Sequence, residues 1–582
     1  MTAPNPNGAR RPTTVGVTNR ILRGYAPLTV FVAIIVLIAI LVPSRVPKAS
    51  TAAAVGTGSS SLSSGSGSSG SNAGTPSTPG TAGANTGGNP ASVGAAGQGA
   101  TGKVASTGSS TGSSGGHTVT QPGKVGSCSG PQVPGDPYSP PCITFSGSNG
   151  GATSPGVTAT AINISYRVTS DQSFGQTLAQ LAGASLQDTN ADTERTIQVL
   201  AQYFNKHFQF YGRKIVVHFF NGQGSLSNEL LGQGQAQAEA DALTAKQLGV
   251  WGDISAESEP YAQDLVNQHI MAFGDPYLSL QWHQQNAPYA WSTATEGSYV
   301  AQIAADYAVQ KLCGQPAAYA GGSLKNQPRK FALLAPENPW YQVSVQIAQT
   351  YMAQHNCQGT PYTYTLDLGT MSQQAANLIA KLKADGVTTI FCGCDPIFPV
   401  YMTGQMSQLN YFPEFIDIGT ALTDQDYVGQ LYNQQAFSHA FGVSPNAPTV
   451  PYTQTIGYAA YKSVDPNSEP AFFVNPIYEQ MDQMAIGIQM AGPDLTPQTF
   501  QQGMFNYPPK LGPYGLWGFS PQQYTVPNDV RLICWNPNAI SPYNSKPGAF
   551  VTIDNNQRYQ FGQIPKGPPD CPAGFPFTPG SS

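Results

Sequence analysis

Charged residues are scarce in this chain: they make up 10% of its 582 residues, against roughly 25% in an average soluble domain. The formal net charge is -5, and no run of Lys or Arg occurs that would follow a phosphate backbone. The sequence therefore predicts no nucleic acid among the partners of this protein.

Catalytic and metal-binding motifs are also missing from the sequence. It has no HExxH pair, no G-x-S-x-G elbow and no Walker loop. Adjacent acids such as Glu257 and Glu259 are typical of a solvated loop. We therefore expect no enzyme activity, no cofactor and no bound metal. The seven histidines form no spaced metal or nucleophile set; they are His117, His207, His218, His269, His283, His355 and His439.

Large apolar residues are almost absent from much of the first quarter of the chain. From Ala49 to Ser127 nearly every residue is Gly, Ser, Thr, Ala, Pro or Asn, as in SSSLSSGSGSSGSNAGTPSTPG. Such a segment cannot bury enough apolar surface to offset its ordering entropy. We predict a disordered linker over residues 44–127, with the globular part after it.

One long apolar run precedes this linker: Pro27 to Pro43 read PLTVFVAIIVLIAILVP, which is at the short end for a membrane-spanning helix. More arginines precede the run than follow it, so the positive-inside rule places the N-terminus in the cytoplasm. We predict a cytoplasmic tail over residues 1–24 and a transmembrane signal-anchor over residues 25–43. This single-pass anchor would hold an extracellular or periplasmic domain at the cell membrane. A cleaved signal peptide and a secreted product are the alternative, because Ala52 and Ala54 offer a cleavage pattern.

After Gly156 the sequence changes to strand-like and helix-like blocks in alternation. Ile162 and Ile164 alternate with polar residues, as in a half-buried strand. Residues 191–207 carry one apolar helical stripe, and residues 214–220 read as a buried strand. The same alternation continues through residues 235–248, 250–254, 260–268, 270–273 and 299–312.

A second series of the same kind begins at Phe331. Its clearest helix runs from Ser372 to Asp385 and stops at Gly386. Strands separated by helices of about ten or more residues imply parallel βαβ units. The two series therefore predict an α/β protein with two doubly wound Rossmann-like lobes joined by a hinge. The other blocks of this series lie at residues 331–335, 341–354, 362–368, 387–391, 400–409, 415–418 and 477–490.

Four passages in register resemble a known family. Tyr203-Phe204-Asn205, followed by Tyr211-Gly212-Arg213-Lys214-Ile215, resembles the "YFN…GRKI" signature of type I periplasmic binding proteins of the branched-chain amino-acid-binding (Leu/Ile/Val) family. These proteins are substrate-binding proteins of ABC transporters. Three later passages are similar to the family in the same order: KFALLAPENPWYQVSVQIAQTYM, LIAKLKADGVTTIFCGCDP and YEQMDQMAIGIQMAG.

This resemblance covers roughly residues 157–545, after a lead-in segment over residues 128–156 and before a Pro/Gly-rich tail over residues 546–582. It implies a solute-binding protein that closes on a small polar ligand, namely an amino acid, an amide or a small organic acid. The ligand would then pass to an ABC importer whose permease is a separate chain. A membrane-tethered sensory or adhesive ectodomain with the same ligand-binding fold is the alternative.

The resemblance also indicates first-lobe ligand contacts. Ser255 and Ser258 follow the strand at residues 250–254 and match in position the family's Ser-bearing loop. Helix N-capping is the other reading of these hydroxyls. Tyr277 and Ser279 follow the next strand and match the family's second contact in this lobe, with a simple turn as the alternative.

On the second lobe, Trp340 and Tyr341 stand where the family places an aromatic residue that covers the ligand, although helix-start aromatics also serve packing. Thr420 stands near a position where the family often has an acid that pairs a ligand ammonium. Asp395, after the strand at residues 387–391, is the candidate that would supply this charge instead.

The eight cysteines all follow the apolar run, and an even count on one side of a membrane suits an oxidising compartment. Cys392 and Cys394 leave three readings open: a zinc half-site, a disulfide or unrelated thiols. The candidate disulfides are Cys128 with Cys142, Cys313 with Cys357, and Cys534 with Cys571.

Overall fold

The computed structural model of this protein describes residues 123–169, Thr177 and residues 188–580. The predicted cytoplasmic tail, the signal-anchor and nearly all of the linker lie outside the described residues. Within the described ranges, no helix has both the length and the apolar character needed to cross a membrane. Gly112–Ser582 forms one compact unit.

A hairpin leads into the first lobe. Its strands are β1 (Lys124–Pro131) and β2 (Pro141–Ser146), which pair antiparallel and are joined by the disulfide Cys128–Cys142. The linker was predicted to reach residue 127, but Lys124 already pairs with Ser146. Tyr138, between the strands, is buried, and its ring stacks on the ring of Trp517 with 4.2 Å between the centroids. This contact packs the hairpin against the lobe.

The first lobe is built on a parallel sheet of five strands: β3 (Ala161–Val168), β4 (Lys214–Asn221), β5 (Gly252–Asp253), β6 (Met271–Phe273) and β7 (Ala290–Trp291). Their order across the sheet is β4-β3-β5-β6-β7. Helices cover both faces, and most of their buried apolar residues fall into two separate hydrophobic clusters against the sheet. The helices are α1 (Asn190–His207), α2 (Leu226–Leu230), α3 (Gln235–Gln247), α4 (Glu259–Asn267) and α5 (Leu280–Gln285).

The second lobe repeats this plan. Its helices are α6 (Gly297–Tyr307), which continues as a π-helical turn (Ala308–Leu312), α7 (Pro339–Gln354), α8 (Met371–Ala384), α9 (Phe398–Gln408), α10 (Asp426–Gly429) and α11 (Gln434–Phe437). Its parallel strands are β8 (Phe331–Pro336), β9 (Gly359–Tyr364), β10 (Thr389–Cys392), β11 (Glu414–Asp417) and β12 (Ala440–Ser444), in the order β9-β8-β10-β11-β12. Every residue of β8 is buried, as expected for a strand covered on both faces. Two doubly wound lobes are thus confirmed.

The chain returns to the first lobe after β12. There it forms α12 (Ile456–Val464), α13 (Val474–Ala491) and α14 (Pro497–Phe505), and then the short strands β13 (Lys510–Gly512) and β14 (Gly515–Trp517). The buried residues of α12, α13 and α14 belong to the same hydrophobic cluster as those of α1. The first lobe is therefore assembled from two separate stretches of the chain.

The last stretch belongs to the second lobe. Strand β15 (Val530–Ile540) pairs antiparallel with β12, β16 (Pro547–Thr552) pairs with β15, and β17 (Arg558–Tyr559) also pairs with β15. A separate tail was predicted from residue 546 onward. The structure instead pairs Pro547–Thr552 and Arg558–Tyr559 with β15, and the disulfide Cys534–Cys571 ties the residues that follow to the same strand.

All four disulfides involve described residues, and the three predicted pairs are confirmed: Cys128–Cys142, Cys313–Cys357 and Cys534–Cys571. The fourth pair is Cys392–Cys394, at the end of β10. Because both sulfurs are bonded to each other, neither is available as a zinc thiolate. The disulfide reading of this pair therefore holds.

Three segments connect the lobes within residues 188–580, at residues 292–297, 445–455 and 525–530. They are hydrogen-bonded to each other and to the lobes near them: Glu296 N donates to Thr525 Oγ1 at 2.9 Å, and Thr295 Oγ1 donates to Pro527 O at 3.0 Å. Arg531 Nε donates to Asn446 O at 3.1 Å. Such a bundle of short connections between packed lobes has the form of a hinge.

Candidate functional site

The lobes enclose a cavity of about 510 Å³, a size typical of small-molecule sites. It lies beyond the carboxyl ends of β3 and β5 in the first lobe and of β8 and β10 in the second. In both sheets these strands mark the point where the order reverses, because β3 lies between β4 and β5, and β8 between β9 and β10. Parallel sheets bind ligands at this switch point, where the loops diverge and leave a crevice.

Five of the eight predicted site residues line this cavity: Ser255, Tyr277, Tyr341, Asp395 and Thr420. Ser258, Ser279 and Trp340 lie outside its lining. Ser258 Oγ accepts a hydrogen bond from Tyr261 N at 3.4 Å, and Ser279 Oγ accepts one from Trp282 N at 3.2 Å. Both serines are thus N-caps, of α4 and α5, which is the alternative that the sequence left open for Ser258.

Ser255 joins the ends of two neighbouring strands. Its Oγ accepts a hydrogen bond from Arg167 N at 2.8 Å and donates one to Asp253 Oδ1 at 2.6 Å. Burial raises the pKa of Asp253, while the hydroxyls of Ser165 and Ser255 lower it. The Ser255 hydroxyl therefore lines the cavity with its proton already committed, and offers a ligand at most one remaining acceptor position.

Arg167 is the cation in the described lining of the cavity, and internal acids already hold it. Its two terminal nitrogens contact Glu229 Oε1 at 2.7 Å and Glu229 Oε2 at 2.9 Å, and Asp241 Oδ2 lies 3.3 Å away. The Tyr261 ring lies 3.6 Å from the guanidinium carbon. Burial opposes the charge, but Glu229 outweighs it and raises the pKa of Arg167. This guanidinium is bound to the protein itself.

Glu257 has the opposite character. Its side chain is exposed in the cavity and makes no ion pair or hydrogen bond with any described residue. Protein encloses the cavity around it, and this burial raises the pKa of Glu257 although Arg167 acts to lower it. From the sequence, Glu257 was predicted to be a solvated loop acid. The only sign in the sequence that Glu257 lies at the ligand-binding edge of the sheet is its position just after a predicted strand.

Tyr277 bridges the cleft. It lies after β6 with a positive φ of 56°, and its hydroxyl accepts a hydrogen bond at 2.6 Å from the backbone N of Ala421 in the second lobe. Ala421 itself has a φ of 49°. Two non-glycine residues in left-handed conformations on opposite walls mark a locally strained contact, of the kind that clusters at ligand clamps.

Asp395 and Thr420 each form hydrogen bonds with other residues of the second lobe. Asp395 accepts hydrogen bonds from Tyr364 Oη at 2.7 Å, Ile397 N at 2.7 Å and Phe398 N at 3.0 Å. Burial raises the pKa of Asp395, and these donors partly oppose that effect. Thr420 Oγ1 donates to Cys394 O at 3.0 Å. Asp395 thus caps the start of α9 in addition to lining the cavity.

Trp340 and Tyr341 were both candidates for covering the ligand, but only Tyr341 lines the cavity. The Tyr341 ring lines the cavity, and its burial raises the pKa of the phenol to about 12. The Trp340 ring is turned toward Gly232 in the first lobe and contacts Tyr341 edge to face. Next to it, Asn338 Nδ2 donates to Leu230 O across the cleft at 2.8 Å. Trp340 therefore belongs to a second contact between the lobes.

The cavity extends beyond the cleft into the second lobe as a slot between α6, α7 and the sheet. Sequence reasoning missed this part, because its walls are ordinary core-type residues on two helices. We use the name slot for the part lined by Val300, Ala301, Ala304, Leu333, Val345 and Ala348.

Comparisons with known proteins bear on the fold. No family model matches the chain, and no curated protein matches it. Among solved structures, an ABC transporter substrate-binding protein from Aeropyrum pernix is 12% identical, with a TM-score of 0.50 over 70% of this chain and 97% of that chain. A solute-binding protein from R. palustris in complex with 4-hydroxybenzoate has 11% identity, a TM-score of 0.48, and coverages of 69% and 97%. A fatty acid ABC transporter substrate-binding protein from Thermomonospora curvata has 12% identity, a TM-score of 0.47, and coverages of 71% and 97%. The likeness to the Aeropyrum pernix structure shows that the chain has the fold of ABC transporter substrate-binding proteins.

Proposed function

We propose that this chain, which has the fold of ABC transporter substrate-binding proteins, captures a small-molecule solute between its lobes and delivers it to an ABC importer. One observation carries the proposal: a cavity of about 510 Å³ lies at the switch points of both parallel sheets and is lined from both lobes. A molecule in that place touches both lobes at once, which is what couples binding to closure.

The contacts across the cleft support a hinge mechanism. Ala421 N donates to Tyr277 Oη, and Asn338 Nδ2 donates to Leu230 O; both hydrogen bonds join the two lobes and would break if the lobes moved apart. Each hydrogen bond contributes about 1 kcal/mol net. Two of them stabilise the contact between the lobes only weakly, and a bound ligand can add to that stability. A ligand with contacts on both walls therefore favours the closed form by its differential affinity.

The binding test uses a chain that starts at Gly112, because Gly112–Ser582 is one compact unit that contains the four hydrophobic clusters and the four disulfides. It is offered leucine, 4-hydroxybenzoate, decanoate and decylamine, and separately a small-molecule extract of growth medium. Saturable binding of one molecule, with a higher unfolding temperature and a smaller radius of gyration in X-ray scattering, is the expected result. If nothing is retained from the extract and no probe changes either quantity, the proposal fails.

The proposal includes no covalent chemistry. A binding protein releases its ligand unchanged, whereas an enzyme converts it. Mass spectrometry of the bound molecule before and after prolonged incubation separates the two. Stoichiometric recovery of the same molecule is expected, and catalytic turnover of it would refute this part.

Delivery and location complete the proposal. We expect the apolar run from Pro27 to Pro43 to hold the full chain in the membrane fraction, with the lobes outside the cytoplasm. Cells that lack the chain should lose uptake of the ligand, and the full chain should restore it. Normal uptake in the absence of the chain would instead favour a sensory or adhesive ectodomain.

A further inference from the structure

The slot between α6, α7 and the sheet makes no provision for a polar group. Its lining residues are aliphatic, and α6 contributes the small side chains of Ala301 and Ala304, which leave the space open. Beside the slot, near Gly297 at the start of α6, Ser344 Oγ is buried and has no partner among the described residues, so it offers a ligand a hydrogen bond outside the aliphatic lining. A charged or strongly hydrated group placed in the slot would lose its water without compensation. Whatever part of a ligand enters the slot must be apolar.

Helix α7 shows that the slot is built into the lobe. Its inward residues Tyr341, Val345 and Ala348 are only half-buried, and Met352 is its only fully buried residue. The neighbouring α8 buries five residues on the opposite face of the same sheet. A helix that simply covered the sheet would bury its apolar face as α8 does. The inner face of α7 therefore forms the wall of a binding space.

The cleft end of the cavity is acidic. Glu257 and Asp188 both line it, and the Glu257 carboxylate has no partner among the described residues. Asp188 Oδ2 accepts a hydrogen bond from Phe472 N at 2.6 Å, which leaves its second oxygen. Arg167, the only cation among the described lining residues, is held by two internal acids.

We propose that the ligand is an amphipathic amine whose apolar body occupies the slot and whose cationic head faces Glu257 and Asp188. This inference rests on the proposed solute-binding function and names the ligand class for the same cavity. It differs from the small polar ligand that the family resemblance implies. A carboxylate head would meet two acids and no free cation, whereas an ammonium forms charge-assisted hydrogen bonds there.

The test compares three probes that share a ten-carbon chain and differ only in the head: decylamine, decan-1-ol and decanoate, each below its solubility limit or micelle concentration. Leucine serves as a small polar probe. Titration calorimetry with the chain that starts at Gly112 should rank decylamine first, decan-1-ol second and decanoate last. The amine should bind at least about tenfold more tightly than the carboxylate, which corresponds to one charge-assisted contact.

Two variants separate the slot from the head site. Ala348→Phe fills the slot and should weaken decylamine and decan-1-ol alike by at least about tenfold, because the side chain takes the place of the apolar body. Ala353→Phe, on the exposed side of the same helix, is the matched control and should leave affinity unchanged. Glu257→Gln should weaken decylamine by about tenfold and leave decan-1-ol within about twofold.

If Ala348→Phe does not fold, Ala301→Leu on the facing helix provides the same test from the other wall. Decanoate binding as tightly as decylamine, or Ala348→Phe with normal affinity for both probes, would overturn the inference. Leucine binding that Ala348→Phe leaves intact, with no binding of the decyl probes, would overturn it while the proposed function stands. The absence of binding by every probe and by the medium extract would overturn both.

Discussion

Replacement of Arg167 by methionine should lower the free energy of unfolding by about 3–5 kcal/mol, the loss expected when one member of a buried ion pair is removed. The Arg167 side chain is 1% exposed, and its partners Glu229 and Asp241 are 0% and 1% exposed. Methionine retains most of the apolar volume against the Tyr261 ring but leaves two carboxylates without their counter-charge. The loss comes from those two groups, which are too deep to regain water.

Urea unfolding of the oxidised chain, followed by circular dichroism, measures this loss through the midpoint and the slope of the transition. Arg195→Met is the matched control: the Arg195 side chain is 40% exposed and pairs with Asp192 at 2.8 Å. Such an exposed pair should contribute less than about 1 kcal/mol.

Addition of Glu229→Gln to the Arg167→Met chain should recover part of the stability, since one of the two uncompensated charges is then removed. The coupling between the two substitutions should be about 1–3 kcal/mol. An Arg167→Met chain as stable as Arg195→Met would refute the reasoning. Arg167 would then be free to pair with a ligand carboxylate, and an anionic ligand head would be favoured over a cationic one.

Three further predictions address the hinge, the disulfides and the titration of a buried acid. Tyr277→Phe removes the acceptor of the Ala421 N hydrogen bond, worth about 1 kcal/mol, so the radius of gyration of the unliganded chain should increase. Tyr411→Phe, which removes a hydrogen bond to Val387 O inside the second lobe, should not change it, and identical scattering from both variants would contradict the hinge. Replacement of Cys313 and Cys357 by serine opens a loop with a sequence separation of 44 and should reduce the urea-unfolding free energy by about 4 kcal/mol; an unchanged midpoint would contradict this. Burial is the main cause that raises the pKa of Asp417 from 3.8 to about 7, and the charge of Asp424 is the next. The stability that protonated Asp417 supplies is therefore complete below about pH 4 and is lost as the pH rises to 7. Asp417→Asn should flatten the fall of unfolding free energy across that range, and an identical pH profile would refute the assignment.

The lobes could be predicted from the sequence because their elements are set by local pattern. The alternation around Ile164 and the stripe in residues 191–207 correspond to β3 and α1 within a residue or two at each end. Cys313 with Cys357 was one candidate disulfide among many possible pairings, and the structure shows that the two are bonded. The strand Pro547–Thr552 was missed, since its pairing partner in β15 is what makes it a strand.

The site was only half predictable, for a physical reason. The family resemblance points to loops at strand ends, and Ser255, Tyr277, Tyr341, Asp395 and Thr420 from those loops line the cavity. Whether a polar side chain is free or already bonded depends on groups far away in the sequence. Asp395 is held by Tyr364, 31 residues earlier, which no local pattern indicates.

By itself, the sequence determined the order of strands and helices and the position of their ends, because backbone hydrogen bonding and apolar periodicity act over a few residues. Only the tertiary structure decided which charges are neutralised, which hydroxyls bridge the lobes and which residues of α7 line the cavity. Arg167 meets Glu229 across 62 residues and Tyr277 meets Ala421 across 144. Such contacts depend on how the completed lobes pack, since the free energy that sets them is gained only when both surfaces are in place.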